Sequence, residues 1–169
     1  MIIPILRYGA PELRKVSEPV TSFDSELEEL VANMMDTMYS ASGVGLAAPQ
    51  VGVNIRLITI DTSGGEEEGK AITVCNPEIV AFDGEQTGEE GCLSVPTFCE
   101  NVKRPLKMDI TGRNIKGDEI TFKTEGILAR VFSHEIDHLN GVLFIDHLSA
   151  LKRNLIRNKI KKLVKNGEW

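Results

Sequence analysis

The segment His134-Glu135-Ile136-Asp137-His138 constrains the fold more than any other part of the chain. On an α-helix, residues four apart lie on one face, about one turn from each other, so both imidazoles point the same way. Two such histidines can bind one metal ion, and Glu135, rotated about 100° around the axis, can act on a water beside it. The short pattern also occurs on ordinary exposed helices, so its surroundings must decide between the two interpretations.

The residues that precede this segment predict that the helix is buried. Four apolar side chains stand in its first turns: Ile127, Leu128, Val131 and Phe132. Ile127 and Val131 share a stripe with the two histidines, at steps of three and four, so the imidazoles should face the core. Buried imidazoles need polar partners, and one metal ion would satisfy both. Asn140-Gly141 predicts the end of the helix.

A catalytic site of this kind usually has three protein ligands and one open position. The extended metalloprotease pattern would require a third histidine where this chain has Phe144. The later candidates are poor, because Glu168 is near the end of the chain and His147 lies beyond the predicted helix end. Cys92, within residues 90–96, is the better candidate, since a thiolate is a strong, soft ligand for zinc or ferrous iron.

A glycine-rich segment, Gly43–Gln50, is the third part of the candidate site. Glycines allow a ligand to lie close to the backbone. The amide of Gln50 can donate a hydrogen bond to a developing oxyanion. The structural alternative is a tight connector that packs on the core.

Together, these three segments resemble the peptide deformylase family. The family's motifs are G-x-G-L-A-A-x-Q, E-G-C-L-S and H-E-x-D-H-L-x-G, in that order. Residues 43–50, 90–94 and 134–141 match every specified position. The spacing and the chain length extend the resemblance over nearly all of the sequence, and the basic C-terminal helix resembles that of the bacterial type.

The resemblance implies a metal-dependent hydrolase that removes the formyl group from N-formylmethionine at the start of newly made polypeptides and releases formate. The implied metal ligands are Cys92, His134 and His138. The implied ion is ferrous iron in the cell, with zinc or nickel as substitutes. Glu135 would be the general acid/base, and the Gln50 side chain and the Leu93 backbone N–H would bind the oxyanion.

We expect the nascent peptide to pair as an extended strand with the glycine-rich segment, a form of β-augmentation. The methionine side chain needs an apolar pocket, for which Val44, Ile127 and Val131 are candidates. The full set of expected substrate-binding residues is Gly43, Val44, Gly45, Glu90, Gly91, Ile127 and Val131.

The resemblance also implies a buried ion pair between Glu90 and Arg104. At two positions, Ser133 and Cys99, the chain departs from common family sequence.

The charge of the chain is uneven. Its formal net charge is −6. Residues 151–169 contain seven basic residues and one acidic residue, which gives this tail +6 and leaves −12 on the remainder. The resemblance implies that the tail docks on the ribosome, where RNA phosphates attract basic side chains; a solvated helix face is the simpler alternative. The apolar residues of the tail are expected to pack on the body: Leu148, Leu151, Leu155, Ile160 and Leu163.

The predicted architecture is one α+β domain over residues 1–169. The resemblance implies mainly antiparallel sheets around the central helix that carries H-E-x-x-H. The predicted elements are helices at 24–41, 125–139 and 147–165, strands at 54–60 and 71–82, and a hairpin of 102–112 with 118–124. Ser25 and Glu28 suggest a capping box for the first helix.

Composition excludes several classes. No apolar run approaches the roughly 20 residues that span a bilayer, and the first residues do not form a signal peptide. Three cysteines, an odd number, argue against a disulfide framework, and Cys75 is expected to be a buried apolar residue. A cytoplasmic location is the simplest interpretation, with no membrane or DNA partner.

Two alternatives to the deformylase function remain open. One is a zinc peptidase built on the same helix, and the other is a structural metal site in a ribosome-binding module.

Overall fold

Three helices and five strands make up the protein, and the computed structural model describes all of residues 1–169. In chain order they are α1 (Ser25–Ser40), β1 (Gly45–Ala47), β2 (Leu57–Ile60), β3 (Ile72–Cys92), β4 (Val95–Arg113), β5 (Glu119–Glu125), α2 (Ile127–Leu139) and α3 (Ala150–Lys165). Short 3₁₀ turns lie at Pro11–Arg14, Ala48–Val51 and Phe144–His147. The predicted α+β class is confirmed.

The strands form one sheet in the order β1-β2-β3-β4-β5, and every neighbouring pair is antiparallel. β2 pairs only with residues 72–75 of β3, and β5 pairs only with residues 107–113 of β4. The far half of the β3–β4 hairpin is therefore two-stranded, and one edge of β3 is open there. The predicted strand 71–82 is too short because residues 83–89, which continue it, are polar or glycine and mostly exposed, without the alternation that marks a strand.

Helix α2 packs its apolar face on the sheet, as its sequence predicts. Phe132, Ile136 and Leu139 share one core cluster with apolar residues of β2, β3 and β4. Ile127 departs from the prediction, because 69% of its surface is exposed. Ile127 is the first residue of the helix and follows Gly126, whose φ of 66° turns the chain. The apolar stripe of α2 therefore begins at a position where the helix does not yet contact the core.

Helix α1 begins at Ser25, the residue expected to be its cap, so the cap lies one residue earlier, at Asp24. The side chain of Asp24, not Ser25, accepts a hydrogen bond from the Leu27 backbone N–H at 3.1 Å. Asp24 has the extended backbone that an N-cap residue adopts. The expected capping box at Ser25 and Glu28 is therefore wrong by one position.

Helix α3 begins at Ala150 rather than at residue 147, with Ser149 as its cap. Its buried face is formed by Ile156 and Ile160. The prediction that Leu151 and Leu155 pack on the body is wrong, because they are 71% and 52% exposed. No helix of the protein combines the length and the apolar character needed to cross a membrane.

Candidate metal centre and substrate cleft

Three potential metal ligands meet where the end of β3 passes α2. Cys92 comes from the last position of β3, and His134 and His138 come from successive turns of α2. The Cys92 Sγ lies 3.4 Å from His138 Nε2, which lies 3.3 Å from His134 Nε2. One ligand atom from each residue falls within 4.8 Å of the others. The structure thus brings together the three residues that the sequence assigns to a metal.

These distances fit a single small divalent ion. A zinc-sized ion has metal–nitrogen bonds of about 2.0–2.1 Å and metal–sulfur bonds of about 2.3 Å, so tetrahedral donors lie about 3.3–3.6 Å apart. The donor set of one thiolate and two imidazoles suits zinc or ferrous iron. Burial and the nearby His134 lower the pKa of His138 well below its ordinary value, so its ring is neutral at neutral pH and offers a lone pair.

Two hydrogen-bond donors point at the Cys92 sulfur. The Ser94 backbone N–H donates to Sγ at 3.4 Å, and Gln50 Nε2 approaches it at 3.6 Å. Hydrogen bonds to a thiolate stabilise the charge that metal binding requires. The Gln50 amide is itself held in place, because its Oε1 accepts from the Ala47 backbone N–H at 2.9 Å and its Nε2 donates to Ser94 Oγ at 3.1 Å.

Glu135 lies beside the ligand set but outside it. Its Oε2 is buried and has no hydrogen-bond partner within the protein, which is uncommon for a buried carboxylate oxygen. Burial raises the pKa of Glu135 to about 7, against the opposing effect of His134. Its Oε1 lies against the Gly45 backbone, and a Cβ at Gly45 would overlap that oxygen. A glycine is therefore required at position 45 for the carboxylate to keep its place.

The Glu90 carboxylate connects the hairpin to α2. Arg104 donates to both of its oxygens, at 2.9 and 2.8 Å, and Arg130 Nη1 donates to Oε2 at 2.6 Å. His134 Nδ1 lies 2.9 Å from Oε1. Such a contact fixes the tautomer and the ring orientation of a metal-binding histidine. The predicted Glu90–Arg104 ion pair is confirmed.

The network changes the interpretation of Glu90 as a residue that contacts substrate. Both of its oxygens are engaged, so the side chain faces into the protein although the residue borders the cleft. Burial alone would raise the pKa of Glu90, but the hydrogen bonds from Arg104 and His134 lower it to about 2. Glu90 therefore stays ionised at neutral pH, and the stability that it contributes is lost as the pH falls from about 4.5 toward 2.

Sequence reasoning missed several members of this network. Arg104 Nη1 also donates to Asp137 Oδ2 at 2.6 Å and to Ser133 Oγ at 3.2 Å, and His147 Nε2 lies 2.8 Å from the same Asp137 oxygen. Arg130 lies four residues before His134 on α2, so the two side chains share one face of the helix. This spacing is the sequence feature that could have predicted Arg130 as a member of the network. Its buried partners come from the hairpin, which local spacing does not reveal.

A cleft of about 530 Å³ opens above the ligand set. One wall is the segment from Ser42 to Gly45, and the other is the hairpin end that contains Gly91, Leu93 and Phe98. Ile127 and Val131 of α2 also line it. All seven expected substrate-binding residues border this cleft: Gly43, Val44, Gly45, Glu90, Gly91, Ile127 and Val131.

We expect Arg104→Met to lower the free energy of unfolding by about 3–5 kcal/mol, because it leaves the buried Glu90 carboxylate and the half-buried Asp137 carboxylate without the arginine that joins them. Urea denaturation of wild type and variant measures the difference. Arg113→Met is the matched control, since the Arg113 side chain is largely exposed and its contact with Glu119 is 3.8 Å long. Equal loss in both variants would contradict a special role for Arg104.

Comparison with known proteins agrees with the geometry. The profile of the polypeptide deformylase family matches residues 2–154. A peptide deformylase from Acidobacterium capsulatum is 47% identical over 169 residues, which are 100% of this chain and 99% of that protein. A peptide deformylase from Thermodesulfovibrio yellowstonii is 46% identical over 160 residues, covering 95% of this chain and 97% of the relative.

Solved structures show the same fold. The crystal structure of a peptide deformylase from Legionella pneumophila has a TM-score of 0.92 and 46% identity, with 99% of this chain and 98% of that chain covered. Peptide deformylase from Plasmodium falciparum has a TM-score of 0.90 and 37% identity over 96% and 95% of the two chains. The fold and the site define a hydrolase that removes formyl groups. The chain belongs to the polypeptide deformylase family, whose members depend on a metal.

Proposed function

We propose that this chain removes the formyl group from N-formylmethionine at the start of newly made polypeptides, with one divalent ion held by Cys92, His134 and His138. One observation carries the proposal. The Cys/His/His set lies beside the unpartnered Glu135 oxygen and the Gln50 amide, and Cys92, His134, Glu135 and Gln50 line a single cleft. In a purely structural metal site, the Glu135 and Gln50 side chains would have no chemical role.

We propose ferrous iron as the ion in the cell, with zinc or nickel as substitutes, because thiolate and imidazole ligands suit all three. When bound, the ion supplies Lewis acidity, which polarises a carbonyl group and lowers the pKa of water toward neutrality. His134 is the ligand whose orientation the protein controls most closely, through Glu90.

Glu135 is the proposed general acid/base. Its Oε2 has no protein partner and is available to accept the proton of the attacking water. A carboxyl group with a raised pKa exchanges protons near neutral pH, and a neighbouring cation favours the ionised form that acts as the base. Glu135 then returns the proton to the amine that leaves when the C–N bond of the formamide breaks.

Gln50 and the Leu93 backbone N–H are the proposed donors to the oxyanion of the tetrahedral intermediate. The Gln50 amide is preorganised, since the Ala47 N–H and Ser94 Oγ fix it before substrate arrives. Preorganised donors stabilise charge that develops in the transition state without further rearrangement.

The peptide is proposed to bind as an extended strand between the two walls of the cleft. β1 is an edge strand, because it pairs with β2 on one side only. On the opposite wall of the cleft, residues 89–92 of β3 pair only with β4. Open strand edges present unpaired backbone groups that an extended peptide can bond. Val44, Val131 and Ile127 offer apolar surface to the methionine side chain, and the exposure of Ile127 fits this contact.

We expect Gln50→Leu to lower kcat by about 10²–10³-fold, the usual cost of losing one oxyanion donor. Metal content should be unchanged, because Gln50 is not among the ligand residues. Formate release and metal analysis on the same preparation measure both. Ser94→Ala is the matched control: it keeps the amide and its bond from Ala47, and we expect it to cost less than about tenfold.

The direct test of the proposal is formate release from a formyl-Met peptide by protein purified without oxygen and analysed for metal. An acetyl-Met peptide and an unblocked peptide with internal amide bonds are the competing substrates. We expect only the formyl peptide to react, since formyl is the smallest acyl group and the Glu135 carboxylate leaves little room beside Gly45. Cleavage of internal bonds would instead support a peptidase.

We also propose that α3 binds the ribosome. Its exposed residues include Lys159, Lys161 and Lys162, which form a basic surface for RNA phosphates. A variant with all three changed to glutamate should keep deformylation of free peptides and lose salt-sensitive co-sedimentation with ribosomes. Unchanged co-sedimentation would contradict this proposal.

A further inference from the structure

Part of the cleft wall is not held by strand pairing. In the β3–β4 hairpin, Gly91 lies opposite Cys99, but the next pair is Cys92 with Val95. Residues 96–98 therefore form a bulge without partners across the hairpin, and Thr97 has a left-handed φ of 72°. All three residues line the cleft. The position of this bulge must depend on side-chain packing, because the ladder of backbone hydrogen bonds is interrupted.

Trp169 supplies packing on this bulge. Its ring lies 6.2 Å from the Phe98 ring, centroid to centroid, at an angle of 60°. This is within the range in which tilted aromatic pairs attract each other. Trp169 and Phe98 also pack on the core cluster that contains Val95 and Phe144.

The Trp169 ring is itself anchored by the N-terminal segment. Its Nε1 donates to the Tyr8 carbonyl at 2.9 Å, and the Arg7 guanidinium lies 5.8 Å from the ring centroid. The same segment is bonded to the site, because the Tyr8 N–H donates to the Ser94 carbonyl at 2.8 Å. Trp169 thus rests on a segment that is fixed relative to the metal-ligand end of the cleft.

We propose that Trp169 is a positioning residue that holds Phe98 at the cleft wall and thereby sets the affinity for peptide residues beyond the formylated methionine. This inference rests on the proposed deformylase function. The formyl group must lie at Cys92 and Glu135, and the methionine side chain is assigned to the α2 side of the cleft. The Phe98 ring lies on the hairpin wall and offers apolar surface to a side chain that follows the methionine.

The test compares a short and a long substrate, formyl-Met-Ala and formyl-Met-Leu-Leu. We expect Trp169→Ala to raise KM for the long peptide about three- to tenfold, the effect of losing one aromatic pair, while kcat for the two peptides and KM for the short one stay near wild type. Trp169→Phe should restore most of the affinity. Leu155→Ala, at an exposed position of α3, is the matched control.

Each result decides a different point. Equal changes in KM for both peptides, a fall in kcat for both, or wild-type behaviour with both would overturn the role of Trp169. If wild-type protein released formate from neither peptide, the proposed function itself would fail. Activity of the wild type on both peptides with no response in Trp169→Ala removes this inference alone.

A spectroscopic measurement gives an independent answer, because Trp169 is the only tryptophan of the chain. In a Glu135→Gln background, in which the expected loss of kcat slows turnover during the measurement, the long peptide should change the tryptophan emission in a saturable way. The additional Phe98→Ala substitution should abolish this change. An emission spectrum that stays constant while the long peptide saturates the cleft would overturn the inference.

Discussion

Glu135→Gln is expected to lower kcat for formate release by about 10²–10⁴-fold, the range usually lost with a general acid/base. The amide occupies nearly the same volume as the carboxylate but accepts no proton at neutral pH. Glu135 lies outside the group of ligand atoms formed by Cys92, His134 and His138, so metal content should remain near one ion per chain. Steady-state kinetics with metal analysis of the same sample measure both quantities.

The pH profile separates loss of the base from general damage. In the wild type, kcat should rise with pH through the pKa of Glu135, since the ionised carboxylate is the base. Burial raises that pKa to about 7, and a bound cation would lower it from there. Glu135→Gln should lack this ascending limb. Glu119→Gln on β5, where the side chain is exposed, is the control, and near-normal turnover by Glu135→Gln would show that another group is the base.

The sequence predicted the parts of the site that depend on local spacing. His134 and His138 share a face wherever that segment is helical, and the apolar residues around them made a buried helix the favoured outcome. Cys92 required more, because no local pattern places a residue of β3 beside α2. It was identified by exclusion of other ligands and by the resemblance of three motifs, and the structure then brought its sulfur to the histidines.

The errors have physical causes in non-local structure. Leu151 and Leu155 follow helical spacing, but the face that is buried depends on where α3 begins and how it docks. The buried face contains Ile160, as predicted, together with Ile156, which was not predicted. The long hairpin was missed because its far half is two-stranded and exposed, so no buried face imposes alternation.

The Glu90 network shows the same limit within the site. A glutamate in a motif suggests contact with substrate, yet Glu90 is surrounded by Arg104, Arg130 and His134 and turned away from the cleft. Two of these partners come from α2 and one from β4. A buried charge can be assigned to its partners only when the elements that carry them are placed in space.

Because the ligands come from two elements, removing the hairpin ligand should disconnect the ion from the fold. We expect Cys92→Ala to lower metal content from about one ion per chain to below about 0.1 after dialysis against a chelator, and formate release to fall at least about 10³-fold. The two remaining imidazoles are fewer ligands than catalytic sites of this kind use. Cys75→Ala is the matched control, since it removes another thiol that is buried and outside the ligand set.

Two further measurements show whether the loss is specific to the ligand. The far-ultraviolet circular dichroism of Cys92→Ala should match wild type, because Cys92 is only partly buried and its neighbours remain paired across the hairpin. Cobalt-substituted wild type and Cys75→Ala should show a sulfur-to-metal charge-transfer band, which reports a thiolate in the coordination sphere. A Cys92→Ala protein that kept both this band and one tightly bound ion would require a different sulfur ligand, and the proposed ligand set would be wrong.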